Sequence, residues 1–177
     1  QAVLWMNNTI GVPTIVIVSA LWPFIVMFGM HVPIMTALLP TWMEMGYDAI
    51  VSPATLASGI AGFGVAVGYA LRAKNKDDRS LGWSTVAPYL TNISEPFLYG
   101  IMLRNRKALV YSAVGAAVGG CAMGILGAKV TMFSGVGLIF LGFLRFGEYA
   151  AAGAIGLLVA FGVSLALSII FGFEEKN

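Results

Sequence analysis

Charge is scarce in this sequence: 10% of its 177 residues are Asp, Glu, Lys or Arg, while 59% are hydrophobic. Soluble domains carry about a quarter charged residues. A chain this poor in charge cannot cover itself with polar surface, which excludes a water-soluble globule. Cysteine occurs once, at Cys121, so there is no intramolecular disulfide and no cysteine cluster for a metal. That thiol lies in the apolar run GGCAMGILG, where a neutral buried side chain with no chemistry is expected. Walker motifs, fixed-period repeats and low-complexity tracts are absent. The run GFGVAVG at 62–68 has the spacing GxGxxxG without a preceding strand or a following acidic residue, so a dinucleotide site is rejected. No cofactor and no metal are expected.

What is present is a set of long uncharged runs. Residues 1–43 hold no charge apart from the titratable His31, and 49–71, 80–94, 108–128, 130–144 and 149–173 hold none at all. A spanning helix needs about 20 apolar residues. The blocks 10–40, 53–71, 108–128 and 149–173 meet that need and predict four spans, while 80–103 and 130–144 are not decided by length. The fold class expected is all-α, a polytopic membrane protein with broken helices. Gln1 is not a start residue, and no basic leader or cleavage site follows it, so the sequence reads as a piece of a longer chain.

The few charges are informative by position. Seven of the ten Lys and Arg residues fall in two short loops, Arg72, Lys74, Lys76 and Arg79 in one and Arg104, Arg106 and Lys107 in the other. They act as topology signals and not as a nucleic-acid surface, and the positive-inside rule places both loops in the cytoplasm. Segment 80–103 must then enter and leave by one face, as a re-entrant hairpin. Pro88, Asn92, Glu95 and Pro96 fit that reading, because broken backbone is tolerated at membrane depth only where it lines a cavity inside protein. Residues 41–48, TWMEMGYD, suit the opposite interface. Glycines recur at small-xxx-small spacing, as in Gly64 and Gly68, Gly115 and Gly119, and Gly120 and Gly124. They predict close helix packing.

Glu95 is the sharpest candidate for chemistry, since a carboxylate in an uncharged membrane segment is costly without a partner or substrate. It could alternatively cap the second arm of the hairpin. His31, in FGMHVPIM, is either a satisfied core residue or a ligand-binding one. A neutral imidazole offers one donor and one acceptor and a carboxylate offers acceptors, so the two could bracket a sugar hydroxyl. Trp22, Trp42, Trp83, Tyr89 and Tyr99 could stack on a sugar ring or serve as interface and packing residues. Of these, Trp83 and Tyr89, inside the hairpin, are retained as candidates.

The motif NISEPFLYG at 92–100 resembles the G-I-T-E-P-x-x-Y-G signature of enzyme IIC, the membrane subunit of glucose-superfamily phosphotransferase permeases. FGMHVPIM and MGYD at 45–48 resemble the F-G-L-H-W and L-G-Y-D motifs of the β-glucoside, sucrose and trehalose branch, as does the separation of His31 from Glu95. The tail GAKVTMFSGVGL also looks familial. Asn92 stands for the signature glycine, Ser94 for its threonine and Val32 for the tryptophan after the histidine. The resemblance implies that 1–177 is the C-terminal transport domain, without the N-terminal scaffold domain and without the IIB and IIA domains.

It further implies a bacterial plasma (inner) membrane protein, multi-pass and homodimeric at full length, that binds a β-glucoside, sucrose or trehalose-like sugar. Glu95, His31, Asn92, Ser94, Trp83 and Tyr89 are the expected substrate-binding residues. A phosphocysteine on IIB would phosphorylate the sugar during uptake. Nothing here resembles that phosphocysteine motif, so no catalytic residue is expected in this chain, which would act as one part of a sugar phosphotransferase. Two alternatives remain: an ion-coupled secondary transporter with Glu95 as proton carrier, and a non-transporting membrane fragment.

Overall fold

The computed structural model describes the backbone of residues 2–91, 93–132 and 139–173, and the side chains of 11–91, 93–132 and 141–173. The order is α1 (Ala2–Met27), α2 (His31–Met45), α3 (Val51–Arg72), α4 (Lys76–Leu90), the single turn α5 (Glu95–Phe97) running into a π-helical turn (Leu98–Met102), α6 (Arg106–Ile125), a 3-10 segment (Ile139–Tyr149) and α7 (Ala150–Phe171). Among the described residues there is no strand, and the sole bridge joins Asp48 to Val130. The protein is all-α.

Helix α3 is central, because its sequence VSPATLASGIAGFGVAVGYALR is apolar or small on every face and most of those residues are buried. A helix without a polar face needs protein around it on all sides. Glycine supplies the close approach. Gly64 faces Ser164 and Gly68 faces Ser168, so α3 and α7 run parallel. Gly115 meets Ser164, Gly119 meets Ala160 and Gly156 meets Met123, a descending order that makes α6 and α7 antiparallel. The opposite edge of α6 packs on α1, Gly120 against Ser19 and Gly124 against Val12 and Ile15. The three expected glycine pairs are thus each a helix contact.

Three helical stretches are long and apolar enough to cross a membrane: Val51–Arg72, Arg106–Ile125 and Leu141–Phe171. They answer the expected blocks 53–71, 108–128 and 149–173. The outer face of α7 carries Leu158 at 70% and Ile170 at 67% exposure with no charge along the helix, a surface that requires apolar surroundings. This is a membrane protein.

The expected block 10–40 is not one continuous helix. The chain breaks at Phe28–Met30, where Gly29 takes φ 70° and Met30 N–H closes the turn on Ile25 O at 3.0 Å. Gly29, with no Cβ, enters the left-handed region at little cost, and α2 starts afresh at His31. Before the break, α1 is kinked at Gly11, φ 31°, and its stretch Gly11–Met27 is a shorter apolar helix. The undecided run 130–144 falls partly on residues 133–138, outside the described residues. Its end, from Leu141, joins α7 in one apolar stretch bent at Gly147, φ 53°.

Segment 80–103 forms a helical hairpin. Asn75 caps α4, its side chain accepting from Asp78 N–H at 2.6 Å. The helix then descends antiparallel to α3, with Gly82 against Ala70 and the Tyr89 hydroxyl against Gly62. It stops after Pro88, whose carbonyl accepts from Thr91 and Ile93 N–H at 3.0 and 3.1 Å. The return arm is anchored by Phe97, Leu98, Ile101 and Met102, all buried. Both basic loops lie at one end of the bundle. Tyr69, near the end of α3, is within electrostatic reach of Asp78 in the first loop and Arg104 at the second. Gly172, after α7, sits beside Arg72.

At the other end, the segment expected at an interface is partly interior. Asp48 is 7% exposed because it caps α3, its carboxylate accepting from Ile50, Val51 and Ser52 N–H at 2.8, 3.2 and 2.6 Å. Its backbone pairs with Val130 in both directions at 2.9 and 2.8 Å. Lys129 lies over the Tyr47 ring, 4.4 Å from its centroid.

Candidate functional site

The break in the hairpin and the break between α1 and α2 open onto one cavity of about 380 Å³. Its walls come from seven parts of the chain: Trp22 and Val26 of α1, His31 and Met35 of α2, Thr55, Ser58 and Gly59 of α3, Tyr89 of α4, Ser94, Glu95 and Leu98 of the return arm, Ser112 of α6 and Arg145 of the 3-10 segment. Each helix interruption therefore places a polar residue where an unbroken helix would have presented only backbone and apolar side chains. Gly29 ends α1 so that His31 opens α2, and Pro88 ends α4 so that Ser94 and Glu95 open the short return helix.

Glu95 stands at the junction of this cavity and a shallow outer recess lined by Ile93, Pro96, Tyr99 and Gly100. It is exposed, and the start of α5 has no side-chain cap hydrogen bond. Glu95 is the acid in the first turn of α5, so a favourable position at the helix N-terminus and a place on the cavity wall coexist in this geometry. The imidazole Nδ1 of His31 is buried with no hydrogen-bond partner among the described residues. The π-helical turn that follows, Leu98–Met102, is a rare form concentrated at functional sites, and it turns Leu98 and Met102 into the cavity.

Of the six expected site residues, His31, Ser94, Glu95 and Tyr89 line this cavity. Tyr89 is held rigidly, 4% exposed, with its ring centroid 5.7 Å from that of Phe97 and 6.0 Å from that of Phe63. Trp83 stands 44% exposed on α4, apart from the cavity lining. Asn92 lies outside the described residues. Reading the sequence missed Arg145 and Ser112. Arg145 had a visible signal, as the one cation of the apolar stretch Leu141–Phe171, in which Glu148 is the one other charge, whereas one serine among the small residues of α6 had none. Among the described residues no group of His, Cys, Asp and Glu could hold a metal ion.

The lining combines a carboxylate, an imidazole, hydroxyls and a guanidinium with apolar and aromatic surface. Such a mixture suits a neutral polyhydroxylated ligand, whose hydroxyls both donate and accept. Comparison with known proteins decides the family. Residues 1–117, two thirds of the chain, match the family described as phosphotransferase system, EIIC. The chain belongs to the phosphotransferase system EIIC family.

This EIIC chain is 28% identical over 182 residues to the PTS system beta-glucoside-specific EIIBCA component of Bacillus subtilis (strain 168), covering 99% of the chain and 29% of that relative. It is 26% identical over 178 residues to the PTS system arbutin-, cellobiose-, and salicin-specific EIIBC component of Escherichia coli (strain K12), covering 96% and 36%. It is 32% identical over 165 residues to the PTS system glucose-specific EIIBCA component of Corynebacterium glutamicum, covering 90% and 24%. The chain thus spans about a quarter to a third of the length of these relatives. No solved structure matches it significantly. Membership in the EIIC family disfavours the proton-carrier reading of Glu95.

Proposed function

We propose that this chain is the sugar-binding and sugar-translocating transport domain of a phosphoenolpyruvate-dependent permease, acting on a glucoside-type sugar that a separate IIB domain phosphorylates. The observation that carries the reading is the convergence of His31, Ser94 and Glu95 on one cavity at two helix breaks. The names of the relatives, beta-glucoside-specific and arbutin-, cellobiose-, and salicin-specific, support a glucoside as the substrate class. Their EIIBC and EIIBCA composition supports IIB as the partner. The setting is the bacterial inner membrane, crossed several times, and the full-length protein is a homodimer joined through an N-terminal scaffold domain.

In this mechanism the hydroxyl to be phosphorylated sits between the acceptor oxygens of Glu95 and the imidazole of His31. Both residues bind and orient it, and the phosphoryl group comes from the IIB phosphocysteine. Tyr89 and Trp22 give the ring apolar contact. Discontinuous helices at a site inside the bundle are suited to movement of the domain between two access states.

The test is coupling. Vesicles carrying the protein, supplied with phosphoenolpyruvate, the general phosphotransfer proteins and a radiolabelled β-glucoside, should yield sugar phosphate when IIB is present and none when IIB is omitted. Uptake should survive collapse of the proton gradient. Sugar phosphate formed without IIB, or uptake that tracks the gradient, would overturn the reading.

The hairpin is proposed to be re-entrant from the cytoplasm, since both basic loops share one end of the bundle and basic loops stay inside. Single cysteines placed at Asp77 and Arg104, both exposed, should react with an impermeant maleimide only in inside-out vesicles. Labelling of the two positions from opposite sides would mean that 80–103 crosses.

A further inference from the structure

Arg145 is a cation in the membrane-spanning stretch Leu141–Phe171, and a charge there is seldom kept without a partner or a substrate. Its backbone is fixed: its carbonyl accepts from Thr131 and Met132 N–H at 2.9 and 3.0 Å. Its side chain is not. Nε donates to Met132 O at 3.4 Å, a long bond, and no ion pair to Arg145 is formed among the described residues. Asp48 is the acid that acts on it electrostatically, and that carboxylate is already engaged by three backbone N–H groups. The guanidinium nitrogens thus have donors to give, and the side chain lines the cavity that holds His31 and Glu95.

A second observation points to the same cavity. Ser112 of α6 also lines it, is 0% exposed, and has an Oγ with no hydrogen-bond partner among the described residues. A buried hydroxyl without a partner costs about 1–3 kcal/mol, so an unpaired serine facing a cavity signals a group that arrives with the ligand. Neither the hairpin nor α2 contributes these two residues.

Resting on the sugar-site reading above, we infer that Arg145 and Ser112 are additional sugar-contacting residues and determine which sugar is accepted. Glu95 and His31 take one part of the sugar, with the carboxylate as acceptor. Arg145 takes sugar oxygens with a donor-only fork, and Ser112 takes a hydroxyl in either sense. A site with acceptors from one part of the fold and donors from another reads hydroxyl positions on both sides of the ring, and it rejects a sugar lacking one because a buried group is left unpaired.

The test is equilibrium binding of a phenyl β-glucoside and its monodeoxy analogues to the intact purified protein, with thermal unfolding followed in parallel. Wild type should lose affinity for at least one analogue. Arg145→Gln should bind the parent sugar about tenfold to a hundredfold more weakly and should no longer distinguish that analogue from the parent, the non-additivity expected of direct contact. Arg145→Lys should recover part of the affinity and less of the discrimination. Ser112→Ala should flatten the response to a different analogue. If wild type binds no β-glucoside, both this inference and the sugar-site reading fall. If wild type binds and Arg145→Gln weakens all analogues by one factor, or none, the inference alone falls and Arg145 is a structural residue.

Discussion

Glu95→Gln should weaken sugar binding about tenfold to a hundredfold while leaving the melting temperature of the purified protein almost unchanged. The substitution keeps the size of the side chain but replaces a charged, two-oxygen acceptor by an amide with one acceptor and one donor group. Hydrogen bonds to charged groups contribute about 1.5–3 kcal/mol, and about 1.4 kcal/mol is a factor of ten. Stability should barely move, because Glu95 is exposed and α5 is a three-residue turn, so its first-turn carboxylate has little helix to stabilise. Isothermal titration with a β-glucoside and a thermal scan of the same sample check both halves. Unchanged affinity, or a clear fall in melting temperature, would return Glu95 to the capping role.

Gly119→Leu should unfold the bundle or bring it close to unfolding. A Cβ at Gly119 would meet Ala160 and lie 2.9 Å from the Gly156 carbonyl oxygen, so a leucine must force α6 and α7 apart along their whole contact. Overpacking a well-packed core costs typically about 1–3 kcal/mol and sometimes more, and a clash against backbone has no flexible side chain to absorb it. Gly162→Leu is the matched control, because a Cβ at Gly162 meets nothing within 4 Å. Size-exclusion chromatography and thermal unfolding in detergent should separate the two, with Gly119→Leu aggregated or melting far lower and Gly162→Leu close to wild type. Equal behaviour would show that the glycine faces are not the packing faces.

Local and periodic features were legible in the sequence. The small-xxx-small glycines predicted contacts that α3, α6 and α7 make residue by residue, because the spacing of four places both glycines on one helix face. The hairpin was legible because two independent signals met on it: Pro88 and Pro96 as breakers, and the basic loops that must share a side. His31 and Glu95 could be paired by donor and acceptor chemistry and by the resemblance, but not by periodicity, which links no two positions so far apart in the chain. The cavity places both on its wall.

Features that depend on tertiary geometry were not legible. The run 10–40 is apolar throughout, and a span-length count cannot see that Gly29 breaks the helix. Asp48 looked like an interfacial acid, yet the backbone amides of Ile50, Val51 and Ser52 claim it as a cap. Ser112 carries no local mark at all, and Arg145 gains its meaning only when the 3-10 segment is brought back to the α1–α3 cavity.

The central claim is that the cavity between the two helix breaks is where the sugar sits. The most direct measurement is photoaffinity labelling with a diazirine-bearing β-glucoside, followed by mass spectrometry of the peptides. The account predicts adducts within His31–Met35 and Ser94–Met102, both suppressed by excess unlabelled glucoside. Suppressible labelling confined to peptides that do not line the cavity, such as Lys76–Gly82 or Ala150–Ile155, would contradict it.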